Sequence, residues 1–299
     1  MSNKEWFLII LLGVIWGSSF LFSEILLKKI DVLMIIFLRV SFGGVFLIIL
    51  CFFKKIEFNI TLKQFIDIII MSVLNNIIPF TLIVYGQKFV TGGFASIINS
   101  STSFFSILLA SFYISNERLS LNRVTGVLVG IIGVIISVGY DQITDLSNSN
   151  LGVFLILLAT ISYAFAGIFA KIKLKLINPL VSATGMTVLS SLFLLPIIII
   201  FQHSQFKLIN FNILLYASFF GLICSGLAYF LYFKIIEITR VSNLLVCTII
   251  IPPSAIILNF IFLNDIIKMK EIIGLIVITI GLIILDGRIF NFFFLRNNK

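Results

Sequence analysis

Thr91-Gly92-Gly93-Phe94-Ala95-Ser96-Ile97-Ile98-Asn99-Ser100-Ser101-Thr102-Ser103-Phe104-Phe105 opens a long apolar segment that ends on a charged turn, Asn116-Glu117-Arg118. As a helix in water this segment would have no polar face to show. In a bilayer, the polar quartet Ser100–Ser103 at mid-depth is costly unless it packs on another helix or faces a cavity. About 150 residues later a similar segment carries Pro252-Pro253 at the matching depth. Two such segments in one chain set the frame for everything else.

The chain has 299 residues, of which 60% are hydrophobic and 11% charged. A water-soluble protein of this length could not hide so much apolar surface, so its solvent is lipid. A helix needs ~20 apolar residues to cross the hydrocarbon core. On that measure ten spans are expected, near 6–28, 31–52, 65–86, 90–113, 123–140, 150–171, 180–201, 211–233, 240–263 and 270–290. The first is too long, and too closely followed by a second, for a cleaved signal peptide. Cys51, Cys224 and Cys247 each stand alone in or at the end of a span, without C-x-x-C spacing, and read as small buried hydrophobes. His203 is the one histidine and falls in a loop. No cofactor or metal is called for.

The net charge of +9 is topological and does not point to nucleic acid. With the N-terminus in the cytoplasm, the inner loops and ends hold fourteen basic residues and the outer loops six, while Arg39 lies within a span. This follows the positive-inside rule and places both termini in the cytoplasm of a multi-pass cell-membrane protein.

Along the chain, Trp16 sits mid-helix within Ile15-Trp16-Gly17-Ser18-Ser19-Phe20, away from the interfacial belt. Glu24 and Arg39 flank a short turn at similar depths, at ~1.5 Å per residue, and are expected to pair, either as a structural clasp or as a coupling site. Asn75-Asn76 need partners, and Pro79 releases a carbonyl nearby. Gly126, Gly130 and Gly133 form a small-residue packing stripe. Asp141-Gln142-Ile143-Thr144-Asp145-Leu146-Ser147-Asn148-Ser149-Asn150 is wholly polar apart from Ile143 and Leu146, lacks Lys and Arg, and divides the chain near its midpoint.

The halves resemble each other. A shift of 147 lays Trp16 on Tyr163, Glu24 on Lys171, Pro79 on Gly226 and Tyr85 on Tyr232; a shift of 148 lays Glu117 on Asp265, Gly126 on Gly274 and Gly133 on Gly281. Five spans per copy is odd, so the second copy enters the membrane inverted. The expected fold is therefore all-α, with ten transmembrane helices as two inverted five-helix repeats over residues 1–145 and 146–299. Inverted repeats are a common build for secondary transporters, with the substrate near mid-membrane between the halves.

Ile15-Trp16-Gly17-Ser18-Ser19-Phe20 resembles the opening motif of the EamA family within the drug/metabolite transporter superfamily. Thr91 to Asn99, leading to Asn116-Glu117-Arg118-Leu119, resembles that family's fourth helix and following turn. Gly226-Leu227-Ala228-Tyr229 through Ile251-Pro252 to Leu263-Asn264-Asp265 resembles its eighth and ninth helices. The likeness covers nearly the whole chain in two copies. It implies a ten-helix carrier moving small organic metabolites by alternating access. Ser103 stands where the family usually has a proline, which would leave the fourth helix straighter than in its relatives; Asp265 replaces a glutamate and keeps the charge.

The expected function is a secondary transporter, in the exporting direction, for amino acids or related neutral and zwitterionic solutes. Trp16, Ser19, Asn75, Asn76, Tyr85, Asn99, Ser101 and Thr102 would line its cavity from the first half. Tyr163, Tyr229, Tyr232, Asn243 and Thr248 would line it from the second, and Pro79, Pro252 and Pro253 would break their helices. Coupling would use protons, with Glu24 as their carrier, or a counter-substrate. Phosphorylated solutes would call for clustered Arg or Lys at mid-depth. A membrane enzyme would need paired carboxylates, HExxH or a P-loop, none of which occurs. The alternative is a non-catalytic scaffold or accessory subunit of a lipid or metabolite export system, for which a double repeat around a polar middle has no purpose.

Overall fold

The computed structural model describes residues 2–114, 120–139, 148–238 and 245–286; the Asn116-Glu117-Arg118 turn, residues 141–147 and Asn243 lie outside the described residues. Within them the chain is helical: α1 Asn3–Leu27, α2 Val32–Phe53, α3 Leu62–Gly86, α4 Gly92–Tyr113, α5 Leu121–Val138, α6 Asn148–Lys173, α7 Pro179–Phe201, α8 Phe211–Ile238, α9 Leu245–Leu263 and α10 Met269–Asp286. Nine of these are long and apolar enough to span a bilayer; α10, with Lys270, Glu271 and Asp286 in its sequence, is the exception. Their outward faces keep large apolar side chains such as Ile49, Phe52, Ile200 and Phe260 exposed, as lipid permits. Ser2, Thr61, Thr91, Ser120, Asn178 and Asn210 cap helix starts by accepting from backbone N–H groups.

Helix packing is reciprocal between the halves. α1 lies on α9 and α6 on α4; α2 meets α8 and α7 meets α3; α2–α7 and α5–α10 pair across the middle. Small residues set the closest approaches. A Cβ at Gly126 would stand 2.8 Å from the Gly281 carbonyl, and one at Gly221 would stand 2.6 Å from that of Arg39. Ser41 and Ser191 share a 2.7 Å hydrogen bond between α2 and α7.

Two helices change register at corresponding depths. α3 contains a π turn over Val73–Ile77 and α8 one over Leu222–Leu227. In α3 the cause is legible. The Ile78 N–H donates to the Val73 carbonyl five residues back, and in the same register Pro79 would serve Leu74 but has no N–H. Ser162 of α6 supplies the missing donor to the Leu74 carbonyl at 2.7 Å. Pro79 thus produces an inserted residue, and the helix continues to Gly86. The break expected there is a register shift.

The expectations for α4 and α9 exchange. α9 runs through Pro252 and Pro253 without interruption, because proline's fixed φ is itself helical and only two N–H donors are lost. α4, with serine where proline was expected, is the helix that breaks, at Ser100–Ser101. There the backbone tightens: Ser101 N–H donates to Ile98 O at 3.0 Å and Phe104 N–H to Ser101 O at 3.0 Å, both three residues back. Side-chain hydroxyls compete for the local carbonyls, Ser96 on Gly93, Ser100 on Ile97 at 2.5 Å and Thr102 on Asn99 at 2.8 Å. Hydroxyls at Ser100 and Thr102, bonded to carbonyls of the preceding turn, accompany the break that a proline was expected to make, and the straighter fourth helix is not found.

Candidate functional site

Between the halves lies a cavity of about 520 Å³. α1 contributes Trp16, Ser19, Phe20 and Ser23; α2 contributes Arg39; α3 contributes Asn75 and Phe80, with Gln87 just past its end; α4 contributes Asn99, Ser100 and Thr102. Tyr163, Gly167 and Ala170 come from α6, Tyr229 and Tyr232 from α8, and Thr248 from α9. Most of the wall is aromatic and aliphatic, with amides and hydroxyls set into it. Trp16 and Tyr232 lie 5.8 Å apart between ring centroids, and Phe80 and Tyr163 6.5 Å apart edge to face. No Asp or Glu lines the cavity among the described residues.

The α3 π turn sorts the two asparagines. Asn75 faces the cavity and donates to Tyr229 Oη at 3.1 Å, while Asn76 is fully buried behind it. Asn76 Nδ2 donates to Ser190 Oγ at 3.2 Å, and Tyr229 Oη donates to Asn76 Oδ1 at 3.0 Å. Asn76 therefore fastens α3 to α7 and α8 and holds Tyr229 in place; it is not part of the wall. Ser101 is also buried outside the wall, its Oγ without a hydrogen-bond partner. Tyr85 is 43% exposed, against Phe89 and Lys88, and points out of the bundle. On a helix two residues rotate the side chain by more than half a turn, so Ile83 reaches the cavity and Tyr85 does not.

Glu24 and Arg39 do not pair. The Glu24 carboxylate accepts the Gly92 N–H at 2.6 Å, at the start of α4. Arg39 donates from Nε to Ser225 Oγ at 3.0 Å in the second π turn. Its guanidinium packs against two rings, 3.6 Å from the Phe80 centroid and 4.5 Å from that of Phe220. Equal depth brought the two charges level, but Glu24 faces α4 and α9 whereas Arg39 faces α3 and α8.

The two ends of the cavity differ. At the end where α1 meets α2 and α3 meets α4, Ser23 donates to Gln87 Oε1 at 2.6 Å, and Gln87 Nε2 donates to the Phe20 carbonyl at 2.9 Å. Ser23 and Gln87 are both buried. Just beyond, Gly92 packs so tightly that a Cβ would stand 2.8 Å from Glu24 Oε2 and 2.9 Å from Asn259 Oδ1. At the α6–α7 end the wall reaches the exposed Gly167, Lys175 and Pro179. The cavity is closed at the first end and open at the second. Gln87 and Asn259 went unflagged in the sequence: Gln87 follows the third span directly and reads as loop, whereas Asn259, a lone amide among Ile, Leu and Phe, carries the same signal as Asn75 and Asn99.

An all-helical, multi-pass membrane protein with a walled cavity between two packed halves belongs to the class of membrane transporters. The chain belongs to the EamA-like transporter family, whose pattern it matches twice, over residues 3–139 and 150–285. It is 22% identical over 274 residues to the uncharacterized transporter YoaV of Bacillus subtilis (strain 168), covering 92% of this chain and 94% of that one. To the probable amino-acid metabolite efflux pump of Escherichia coli (strain K12) it is 29% identical over 174 residues, 57% of this chain and 54% of that protein. A solved crystal structure shares the fold at a TM-score of 0.71 and 14% identity, over 97% of this chain and 99% of that one. The transporter family is not an enzyme class, and the protein is a multi-pass protein of the cell membrane.

Proposed function

We propose that the protein is a secondary exporter of small organic metabolites, amino acids or related solutes, working by alternating access between two inverted five-helix repeats, residues 1–145 and 146–299. In this reading α10 completes ten spans, both termini are cytoplasmic, and the open α6–α7 end faces the cytoplasm. The observation that carries it is the asymmetric cavity, sealed by the Ser23–Gln87–Phe20 bonds at one end and open between Gly167 and Lys175 at the other. A cavity open to one side is the loading state of a carrier, and an exporter loads from the cytoplasm. The family match and a relative named as an amino-acid metabolite efflux pump support the direction and the cargo.

The test is counterflow in proteoliposomes preloaded with single amino acids. Accumulation of labelled solute against unlabelled solute is the expected result. No counterflow of any amino acid or metabolite, with a partner protein co-purifying, would return the scaffold reading. Glu24 belongs, in this account, to the sealed end and not to the solute's wall. A Glu24→Gln variant with undiminished pH-driven flux would remove it as a proton carrier.

A further inference from the structure

We propose that Arg39 is the seat for a carboxylate on the transported solute, so that the cavity selects organic acids and amino acids over amines and amides. The inference rests on the transporter reading and adds the chemical group that the cavity recognises.

Arg39 is 8% exposed and lines the cavity. Phe80 and Phe220 pack against its guanidinium, 3.6 and 4.5 Å from Cζ to their ring centroids, which leaves the N–H edge as the side suited to a ligand. One donor on that edge, Nε, is used by Ser225 Oγ. The terminal amino groups make no hydrogen bond among the described residues, and no carboxylate there lies within ion-pair distance. Tyr163, Cys224 and Tyr229 are the titratable side chains near it, and none of them is an acid of carboxylate strength. A guanidinium keeps its proton under all ordinary conditions. A charge inside a helical bundle is expensive without a partner. Here the protein supplies positioning by Ser225 and the two rings and withholds the anion.

A solute carboxylate fits that vacancy: two oxygens against two parallel N–H donors, the bidentate geometry in which arginine is strongest. The rest of the wall gives the solute's opposite end a choice. Asn99 Oδ1 lies in a lining residue and has no hydrogen-bond partner, and the Trp16–Tyr232 pair offers aromatic faces. Both suit an ammonium group. An amino acid and the matching 2-oxo acid therefore share the Arg39 contact and differ only at this second end.

Trp6 and Trp16 are the two tryptophans of the chain, and only Trp16 lines the cavity. In the full-length Trp6→Phe protein in detergent, Trp16 fluorescence reports occupancy. Leucine, valine and phenylalanine are each titrated as amino acid, 2-oxo acid and amino-acid amide. The expected result is binding of the acids about tenfold or more tighter than the amides, the difference one charged hydrogen-bonded contact makes. Arg39→Gln should bring the acids down to the amides, and Arg39→Lys should recover part of the loss by keeping charge without the fork. Equal binding of amino and 2-oxo acids assigns recognition to the carboxylate alone; tighter amino acids add the ammonium end, and both support the seat. Amides binding as tightly as acids, or no acid moving the signal, would overturn it. The acid–amide comparison uses the Arg39 protein, so it stands even where Arg39→Gln does not fold. Acid binding without liposome counterflow would sink transport and leave the seat. Counterflow of leucinamide as fast as leucine would do the reverse.

Discussion

The two ends of the cavity are built from matching positions with opposite chemistry. At the closed end stand Phe20, Ser23, Glu24 and Gln87; the 147-residue shift matches them to Gly167, Ala170, Lys171 and Lys234, of which Gly167 and Ala170 line the cavity. The closed end has a hydroxyl, an amide and a carboxylate that bond one another or the backbone carbonyl of Phe20 and N–H of Gly92. At the open end, the two positions facing Ser23 and Phe20 in the pattern have no side chain beyond a methyl, and a Cβ at Gly167 would meet nothing within 4 Å. Two lysines stand in the sequence where the acid and the amide stand in the first half, and Lys234 lies 5.7 Å from the Phe230 ring centroid. The difference teaches that a few side chains decide which end is bonded shut, although both halves of the chain match the same family pattern. Hydrogen bonds at the sealed end are worth more where water is excluded, since an unmade bond there leaves a buried orphan.

The largest expected effect comes from cutting the lock. With Cys51, Cys224 and Cys247 replaced, a thiol at Val84, buried in the wall just short of Gln87, reports access from the α1–α2 face, and one at Ala170 reports access from the α6–α7 face. An impermeant maleimide should label Ala170→Cys quickly and Val84→Cys slowly. Gln87→Ala removes the acceptor of Ser23 and the donor to Phe20, and should raise Val84→Cys labelling about tenfold to a hundredfold, the population shift for 1–3 kcal/mol of lost lock. Labelling at Ala170 should not rise with it. Equal rates at both thiols before any mutation would erase the comparison.

Next in size is Glu24→Ala, which leaves the Gly92 N–H without an acceptor and should cost about 1–3 kcal/mol by thermal unfolding in detergent. Glu24→Gln keeps an acceptor and should cost less; equal losses would show that the charge, not the bond, matters. The same methyl added at each end gives a matched pair. Gly92→Ala drives a Cβ against Glu24, Asn259 and the Phe20 carbonyl at 3.0 Å, and should destabilise by about 1–3 kcal/mol. Gly167→Ala enters open space on a helix and should stabilise by about 0.5–1 kcal/mol. The opposite signs are the test.

Much of this was readable in the chain. The first span, expected at 6–28, is α1 at Asn3–Leu27, and the eighth, expected from 211, is α8 from Phe211, because hydrophobic run length measures the bilayer directly. Asn75, Asn99 and Tyr163 line the cavity, and a polar or amphipathic group within a span has few other places to go. What failed was azimuth and backbone. Depth along the axis levelled Glu24 with Arg39, but the turn between α1 and α2 decides which neighbour each faces, and no local pattern encodes that. Adjacent residues on a helix face about 100° apart, so Asn76 turns off the wall where Asn75 meets it, and the Ser100–Ser101 break comes with hydroxyl–carbonyl bonds that depend on rotamers. Proline signals a break in α9, yet its backbone angle there agrees with the helix.

The smallest effect is a pH dependence confined to the closed end. Asp265, in the connection after α9, has Oδ2 buried without a hydrogen-bond partner. Burial raises its carboxyl above the usual aspartate value, and the nearby Lys28 charge opposes the rise only in part. A raised folded-state value means the folded protein holds the proton more tightly than the unfolded chain. That contribution is complete below the ordinary aspartate value and fades as pH climbs through the folded one. The unfolding temperature should therefore fall slightly as pH rises out of the acid range, and Asp265→Asn should flatten this slope by removing the titration while keeping the shape. The 148-residue shift matches Asp265 in sequence to Glu117, so Glu117→Gln serves as the control. A slope that survives Asp265→Asn and disappears in Asp265→Asn with Glu24→Gln would move the titration to the Gly92 contact, one helix start closer to the cavity.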